Sequence, residues 1–143
     1  GEPWKAQYWL REVMNRLYFA TPDGYCGDED NGQTSAWYVF TALGFYPVCP
    51  GSNEYVMGAP YFKKATITLE NGKKLEISAP KNSDANRYIR SLNYNGKNYT
   101  KNYLNNFDLL KGGRLVFDMD NKPNKGRGIN ESDFPYSFSR DNK

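Results

Sequence analysis

Residues 27–43 read GDEDNGQTSAWYVFTAL and join an acidic loop directly to an apolar, aromatic segment. Three consecutive acids, Asp28, Glu29 and Asp30, stand between two glycines of this loop. The segment that follows has the apolar spacing of a helix, with one stripe formed by Ala36, Val39, Phe40 and Leu43. Gly44 suits the position just after a last helical turn. The stretch therefore predicts a helix that begins at a cluster of carboxylates.

The three acids at this loop-to-helix junction admit two interpretations. In an extended backbone, Asp28 and Asp30 would share one face while Glu29 points away. Two carboxylates that converge from a glycine-flanked loop suit general base catalysis, or the binding of hydroxyls or of a hard cation such as calcium. Acids just before a helix also satisfy its free N–H groups and its positive dipole end, with Asp30 or Asn31 as the N-cap residue. The spacing alone favours this capping role.

Upstream of the loop, residues 3–19 have the pattern of an amphipathic helix. Pro3 suits the first helical position. The apolar stripe consists of Ala6, Trp9, Leu10, Val13, Met14 and Leu17. The sequence Thr-Pro-Asp-Gly at residues 21–24 is typical of a turn and ends this helix.

After the second helix, the apolar period changes from near 3.6 residues to 2 residues, which is the period of a strand. Residues 65–69 and 75–79 alternate around the Asn-Gly pair at 71–72, and this pattern predicts a β-hairpin with a two-residue loop. A second Asn-Gly pair, at residues 95–96, predicts another hairpin.

A third hairpin-like unit is predicted where Gly112 and Gly113 separate two leucines from the alternating run 115–119. Residues 120–143 are polar and are expected to be irregular. Two helices followed by about six to eight antiparallel strands predict an α+β fold with a small, sandwich-like set of strands.

Composition excludes several classes of function. The 143 residues carry a net charge of only +3 without a long basic run, so binding of nucleic acid is not indicated. No apolar run approaches the roughly 18 residues of a membrane-spanning helix. The chain has no histidine, which removes histidine-based catalytic triads and the commonest zinc ligand.

Two further features leave alternatives open. Cys26 and Cys49 flank the second helix, so a disulfide between them is conceivable, and two buried free thiols are an equal alternative. The chain has no initiator methionine and no signal-peptide pattern, and we expect it to be a piece of a longer protein.

Residues 27–47, GDEDNGQTSAWYVFTALGFYP, resemble the signature of glycoside hydrolase family 92. PWKAQ at residues 3–7 and the Pro-Gly…Tyr…Gly pattern of residues 50–58 are similar to that family as well. The resemblance implies a bacterial, calcium-dependent exo-α-mannosidase. Its expected substrates are mannose-containing glycans, namely N-glycans or yeast mannan, and the expected linkage is α-1,2. Thr34 and Cys26 depart from the commonest family pattern, which often has methionine and a small or apolar residue there.

The resemblance also implies that most of the enzyme lies outside this chain. Residues 1–47 correspond to the terminal helices of an (α/α)6 catalytic barrel with the acidic loop, and residues 48–143 correspond to a C-terminal antiparallel β region. Most of the calcium site and the general acid are expected in the remainder of the parent enzyme, so the fragment alone is expected to be inactive. The implied location is secreted, periplasmic or on the bacterial cell surface.

The resemblance assigns the general base to the aspartate pair, with Asp30 as the base and Asp28 assisting. Trp4 and Gln33 are weaker candidates for substrate contacts. The alternative role is simple packing for Trp4 and helix capping for Gln33. The apolar stripe of the first helix is expected to contact the rest of the parent, or to form a homodimer of the fragment.

Two alternatives concern the strands. One is a non-catalytic carbohydrate-binding module that uses four tyrosines as stacking platforms, namely Tyr88, Tyr94, Tyr99 and Tyr103. Aromatic side chains are equally good cross-strand packing partners. The other alternative, a purely structural role, is the interpretation we favour for residues 54–143.

Overall fold

The computed structural model describes residues 1–141. Its helices are α1 (Pro3–Leu17), α2 (Gln33–Leu43), α3 (Asn106–Leu109) and α4 (Phe138–Asp141), with a 3₁₀ turn at Glu131–Asp133. Its strands are β1 (Phe45–Tyr46), β2 (Glu54–Met57), β3 (Lys64–Thr68), β4 (Lys74–Ser78), β5 (Tyr88–Tyr94), β6 (Lys97–Asn98), β7 (Tyr103–Asn105) and β8 (Gly113–Asp120). No helix within the described residues is both long and apolar enough to cross a bilayer.

The strands form a three-stranded sheet in the order β1-β2-β7 and a five-stranded sheet in the order β3-β4-β8-β5-β6. All neighbouring strands are antiparallel except β4 and β8, which run parallel, so the large sheet is mixed rather than fully antiparallel. The predicted third hairpin is therefore wrong. Leu109 ends helix α3, and β8 pairs with β4 and β5 instead.

The two glycines of that expected hairpin have a different role. A Cβ on Gly112 would lie 2.7 Å from the carbonyl oxygen of Lys74, and Gly113 is paired with Leu75. The small size of Gly112 lets the chain at the start of β8 approach β4 closely, whereas Gly113 leaves room for the Asn95 side chain, whose oxygen would lie 2.3 Å from an added Cβ.

The two Asn-Gly hairpins exist, but their loops differ. Asn95 and Gly96 both have positive φ, and the flanking residues pair directly, as a two-residue loop requires. At the first hairpin only Gly72 has positive φ, and the Leu69 amide donates to the Lys73 carbonyl over 2.8 Å. This loop is a three-residue turn with a bulge, so the predicted two-residue loop is wrong.

One apolar core joins the two sheets. Phe45, Met57 and Leu104 contribute to it from the small sheet. The large sheet contributes alternate residues of its strands, among them Leu75, Ile77, Ile89, Leu92, Leu115, Phe117 and Met119. Burial of both inner faces against each other confirms the α+β fold with a sandwich-like arrangement of strands.

Helix α1 is attached to the large sheet through polar side chains. Its buried residues are Gln7, Arg11 and Met14. The Gln7 side-chain oxygen accepts a hydrogen bond from the Ile89 amide (3.0 Å), and Arg11 donates to the Asn82 side chain (2.8 Å). The predicted apolar stripe is only partly the buried face, because Trp9 and Leu17 are 62% and 45% exposed.

Helices α1 and α2 run in opposite directions. The Tyr18 ring, just after α1, stacks on Trp37 in the middle of α2, with 5.4 Å between ring centroids. Leu10 lies close to Gly58, where an added Cβ would be 2.6 Å from its Cδ1, and the Gly58 amide donates to the Gly44 carbonyl. The start of α1 therefore extends away from the acidic loop, which precedes α2.

Candidate functional site

The acidic loop has an unusual backbone. Asp30, Asn31 and Gly32 have consecutive positive φ angles of 54°, 57° and 97°. Aspartate and asparagine tolerate this left-handed conformation better than other residues with a Cβ. The loop thus curls from Asp30 to Gly32, so the extended backbone of the prediction does not continue through Asp30 into α2.

The start of α2 also differs from the expectation. Its N-cap residue is Gly32, and no side chain caps the helix from that position. The prediction of Asp30 or Asn31 as the N-cap is therefore wrong. The capping carboxylate belongs to Glu29, whose Oε1 accepts from the Ser35 amide (3.1 Å) and from the Ser35 hydroxyl (2.5 Å).

The two aspartates are held only by their main chains. The Asp28 carbonyl accepts from the Thr34 hydroxyl (3.0 Å), and the Asp30 carbonyl accepts from the Gln33 amide (3.3 Å). Both side chains are exposed, and within residues 1–141 no hydrogen bond or ion pair engages either carboxylate. Two solvent-facing carboxylates on one short loop can each accept a proton from water or bind a hydroxyl.

Aromatic residues lie next to the loop. Tyr18, Phe19, Ala20, Gly24, Tyr25 and Tyr38 line a cavity of about 270 Å³. Burial raises the pKa of Tyr18 to about 12, and the neighbouring Cys26 thiol and Glu29 carboxylate act in the same direction. The Tyr18 phenol therefore stays protonated at neutral pH. The two cysteines are free, and Cys26 is exposed rather than buried.

The other two candidate residues lie in different places. Gln33 is the first residue of α2, adjacent to the acidic loop, and its side chain is exposed. Trp4 is half-buried in the first turn of α1. Because the two helices run in opposite directions, Trp4 lies toward the C-terminal end of α2, away from the loop. The structure brings Gln33 to the aspartates and does not bring Trp4 there.

The tyrosines of the binding-module alternative make internal contacts. The Tyr94 phenol donates to the Asp108 carbonyl (3.1 Å), and the Tyr99 phenol donates to the Tyr103 carbonyl (2.7 Å). Burial raises the pKa of Tyr99. These contacts fit cross-strand packing better than an open stacking platform.

Potential metal ligands are dispersed. Across residues 1–141, no three histidine, cysteine, aspartate or glutamate side chains form a group that could hold a metal ion.

The role of Glu29 is the feature that the sequence did not reveal. In the common capping box, the cap and its acidic partner are three residues apart, whereas Glu29 and Ser35 are separated by a left-handed turn. No local sequence signal anticipates that geometry.

Comparison with known proteins places this loop in a family. A model of the glycosyl hydrolase family 92 catalytic domain matches residues 1–121. An uncharacterized secreted glycosidase of Arthroderma benhamiae is 31% identical over 121 residues, which are 82% of this chain and 16% of that protein.

Solved structures agree with that match. The family GH92 inverting mannosidase BT2199 from Bacteroides thetaiotaomicron has a TM-score of 0.91 at 55% identity, and the similarity covers 97% of this chain and 19% of that chain. The family GH92 α-mannosidase BT3965 from the same organism has a TM-score of 0.91 at 43% identity, covering 95% and 18%.

These relatives define the class of protein, which is a glycoside hydrolase. The chain belongs to glycosyl hydrolase family 92. It spans less than a fifth of the length of the relatives named above.

Proposed function

We propose that this chain is the C-terminal part of an inverting exo-α-mannosidase that acts on α-1,2-linked mannose of N-glycans or mannan. In this proposal Asp30 is the general base and Asp28 assists it. The observation that carries the proposal is the pair of exposed, unpaired carboxylates on the acidic loop of a chain that belongs to family 92. Support for the substrate comes from BT2199, an inverting mannosidase, and from BT3965, solved with mannoimidazole.

The proposed reaction has a simple proton balance. Asp30 takes a proton from a water molecule as the water oxygen attacks the anomeric carbon. The glycosidic bond breaks on the opposite face, and the leaving oxygen takes a proton from a carboxylic acid. In inverting enzymes these two carboxyl groups stand about 6.5–9.5 Å apart, which leaves room for the water. We assign that acid to the remainder of the parent enzyme.

Gln33 is the better placed of the two candidate substrate contacts. Its exposed amide at the start of α2 could donate to a sugar hydroxyl beside Asp30. Trp4 could contact only a different part of the glycan, because it lies toward the other end of α2.

We further propose that the N-terminal and C-terminal parts of the chain have different roles. Residues 1–47 complete the catalytic (α/α)6 barrel, and in the C-terminal region that follows, residues 54–143 brace it without chemical activity. The exposed side chains of Trp9 and Leu17 would be covered by the rest of the parent. In the isolated fragment the same face would favour a homodimer. The non-catalytic sugar-binding module is the alternative, and the internal bonds of Tyr94 and Tyr99 weigh against it.

Calcium and location complete the proposal. We propose that the parent binds calcium through ligands mostly outside residues 1–141, and we assign no catalytic step to the ion. A secreted or periplasmic location is proposed because a relative is a secreted glycosidase.

Mutation of the proposed base tests the assignment. In the full-length parent, Asp30→Asn should lower the turnover of an α-1,2-linked mannobiose by about 10²–10⁴-fold, because general base catalysis contributes that much. Asp23→Asn, on an exposed turn upstream, is the matched control and should retain activity. Unchanged turnover by Asp30→Asn would refute the assignment.

A second experiment tests the division between fragment and parent. Release of mannose is measured for both proteins, with calcium and with a chelator. We expect activity only in the calcium-loaded parent. Activity of the fragment itself would mean that both catalytic carboxyl groups lie within these 143 residues.

A further inference from the structure

We propose that Glu29 is a positioning residue that holds the two aspartates in their catalytic arrangement. The inference rests on the proposed function of Asp28 and Asp30. Glu29 itself takes no part in the chemistry, because its carboxylate faces the protein and not the solvent.

The contacts of the three consecutive acids divide their roles. All three are tied to the first turn of α2, but only Glu29 is tied through its carboxylate. The main-chain carbonyl of Glu29 also accepts from the Thr34 amide (3.2 Å), so this residue is fixed at both its backbone and its side chain. Asp28 and Asp30 are held through carbonyls alone, which leaves their carboxylates available.

The backbone next to Glu29 needs such a restraint. Asp30 and Asn31 both adopt the left-handed conformation, which residues with a Cβ rarely hold without support. The bonds from Glu29 to Ser35 close the loop over these residues and so fix the direction in which the Asp30 side chain leaves the backbone. Catalytic geometry is sensitive to displacements of about 1 Å, so a loose loop would slow the reaction without preventing folding.

The burial of Glu29 separates its role from that of its neighbours. Its second carboxylate oxygen, Oε2, is buried and has no hydrogen-bond partner within residues 1–141. An oxygen in that position cannot take a proton from a water molecule that attacks a sugar. The contribution of Glu29 is therefore the pair of bonds that its Oε1 accepts.

The experiment compares three variants with the unchanged full-length parent. Glu29→Ala removes both bonds to Ser35 and should lower kcat by on the order of 10²-fold, with KM within about twofold. Glu29→Gln keeps an oxygen that can accept both bonds and should restore most of that loss. Asp30→Asn, measured alongside, reports whether the underlying assignment of the base is sound.

Each outcome decides the question. Loss with Glu29→Ala and recovery with Glu29→Gln would support the positioning role. Full activity of Glu29→Ala while Asp30→Asn is inactive would overturn this inference and leave the proposed function intact. Equal losses in Glu29→Ala and Glu29→Gln would also overturn it, because charge rather than hydrogen bonding would then matter. Full activity of Asp30→Asn would remove the proposed function and this inference together.

A milder variant covers the case in which Glu29→Ala fails to fold. Ser35→Ala removes the hydroxyl donor and keeps the amide donor, so kcat should fall by several-fold at an unchanged melting temperature. Ser91→Ala, at an exposed position of β5, is the control. An unchanged kcat in Ser35→Ala would count against the positioning role.

Discussion

The helical and the β regions of this molecule bury their side chains in different ways. Every residue of the main apolar core lies at Phe45 or later in the chain, within or beside the strands. Helix α1, by contrast, buries two polar residues and one methionine, and it leaves Trp9 62% exposed. The main core is therefore built from the β region, with Phe40 and Leu43 of α2 packed against it, whereas α1 leaves apolar side chains exposed and available for further protein contacts.

The β region also anchors the helix that carries the acidic loop. The C-terminal end of α2 is bonded to the chain before β3, since the Tyr61 amide donates to the Ala42 carbonyl (2.9 Å). Gly44, at φ 99°, ends the helix where an added Cβ would lie 2.9 Å from the Pro60 nitrogen. One end of α2 is thus anchored to the strands, and the acidic loop extends from the other end.

The largest expected difference in stability is between two leucines. Leu115 is fully buried in β8, so Leu115→Ala should lower the free energy of unfolding by about 2–5 kcal/mol. Leu17→Ala, at a 45% exposed position of α1, should change it by no more than about 0.5 kcal/mol. Urea unfolding of the 143-residue chain measures both. Equal losses would show that the helical face is buried in solution, for instance by a dimer.

An intermediate effect is expected at the polar junction between α1 and the sheet. Arg11→Ala leaves buried acceptors at Asn82 and Pro60 without their donor and should cost about 1–3 kcal/mol. Arg16→Ala is the matched control, because its own side chain is exposed and an ion pair four residues apart on a helix, here with Glu12, contributes only about 0.3–0.5 kcal/mol. If the two variants unfolded at the same urea concentration, α1 would not depend on this junction.

The smallest expected effect concerns pH. Hydrogen bonds from Thr100 and Asn130 hold the pKa of Asp133 below its usual value, so its ionised form is favoured in the folded state. Its contribution is present above the unfolded pKa of about 3.9 and is lost as the pH falls through the lower folded pKa. Asp133→Asn should reduce proton uptake on unfolding below about pH 4 by up to about one proton.

Unfolding by urea at a series of pH values measures this linkage. Asp23→Asn, on the exposed turn after α1, is the control. An unaltered pH dependence in Asp133→Asn would mean that these hydrogen bonds do not favour the carboxylate.

Much of the fold could be predicted because its signals are local. The hairpin at Asn95-Gly96 follows from two residues that accept positive φ, and helix α2 follows from its apolar period. The pairing of β4 with β8 could not be predicted, because parallel partners are distant in sequence and no turn marks them. Periodicity also missed the buried face of α1, where Gln7 and Arg11 are satisfied by partners far along the chain.

The residues of the candidate site could be predicted from the sequence, but the conformation of its loop could not. The run of three acids identifies the loop, and its resemblance to a family signature selects Asp28 and Asp30. The curl at Asp30 and Asn31 depends on carbonyl and carboxylate bonds to α2 that form only in the folded chain. For that reason the sequence could not tell which acid caps the helix, and Glu29 proved to be the one.

The central claim is that Asp30 acts as a base, and a comparison of two substrates tests it most directly. In the full-length parent, kcat/KM of Asp30→Asn is measured on an α-1,2-linked mannobiose and on dinitrophenyl α-mannoside, whose leaving group needs no proton. A missing base should slow both substrates by a similar factor, about 10²-fold or more, because each still requires an activated water. Near-normal hydrolysis of the dinitrophenyl substrate, with loss on the mannobiose, would show that Asp30 is the acid and would contradict this account.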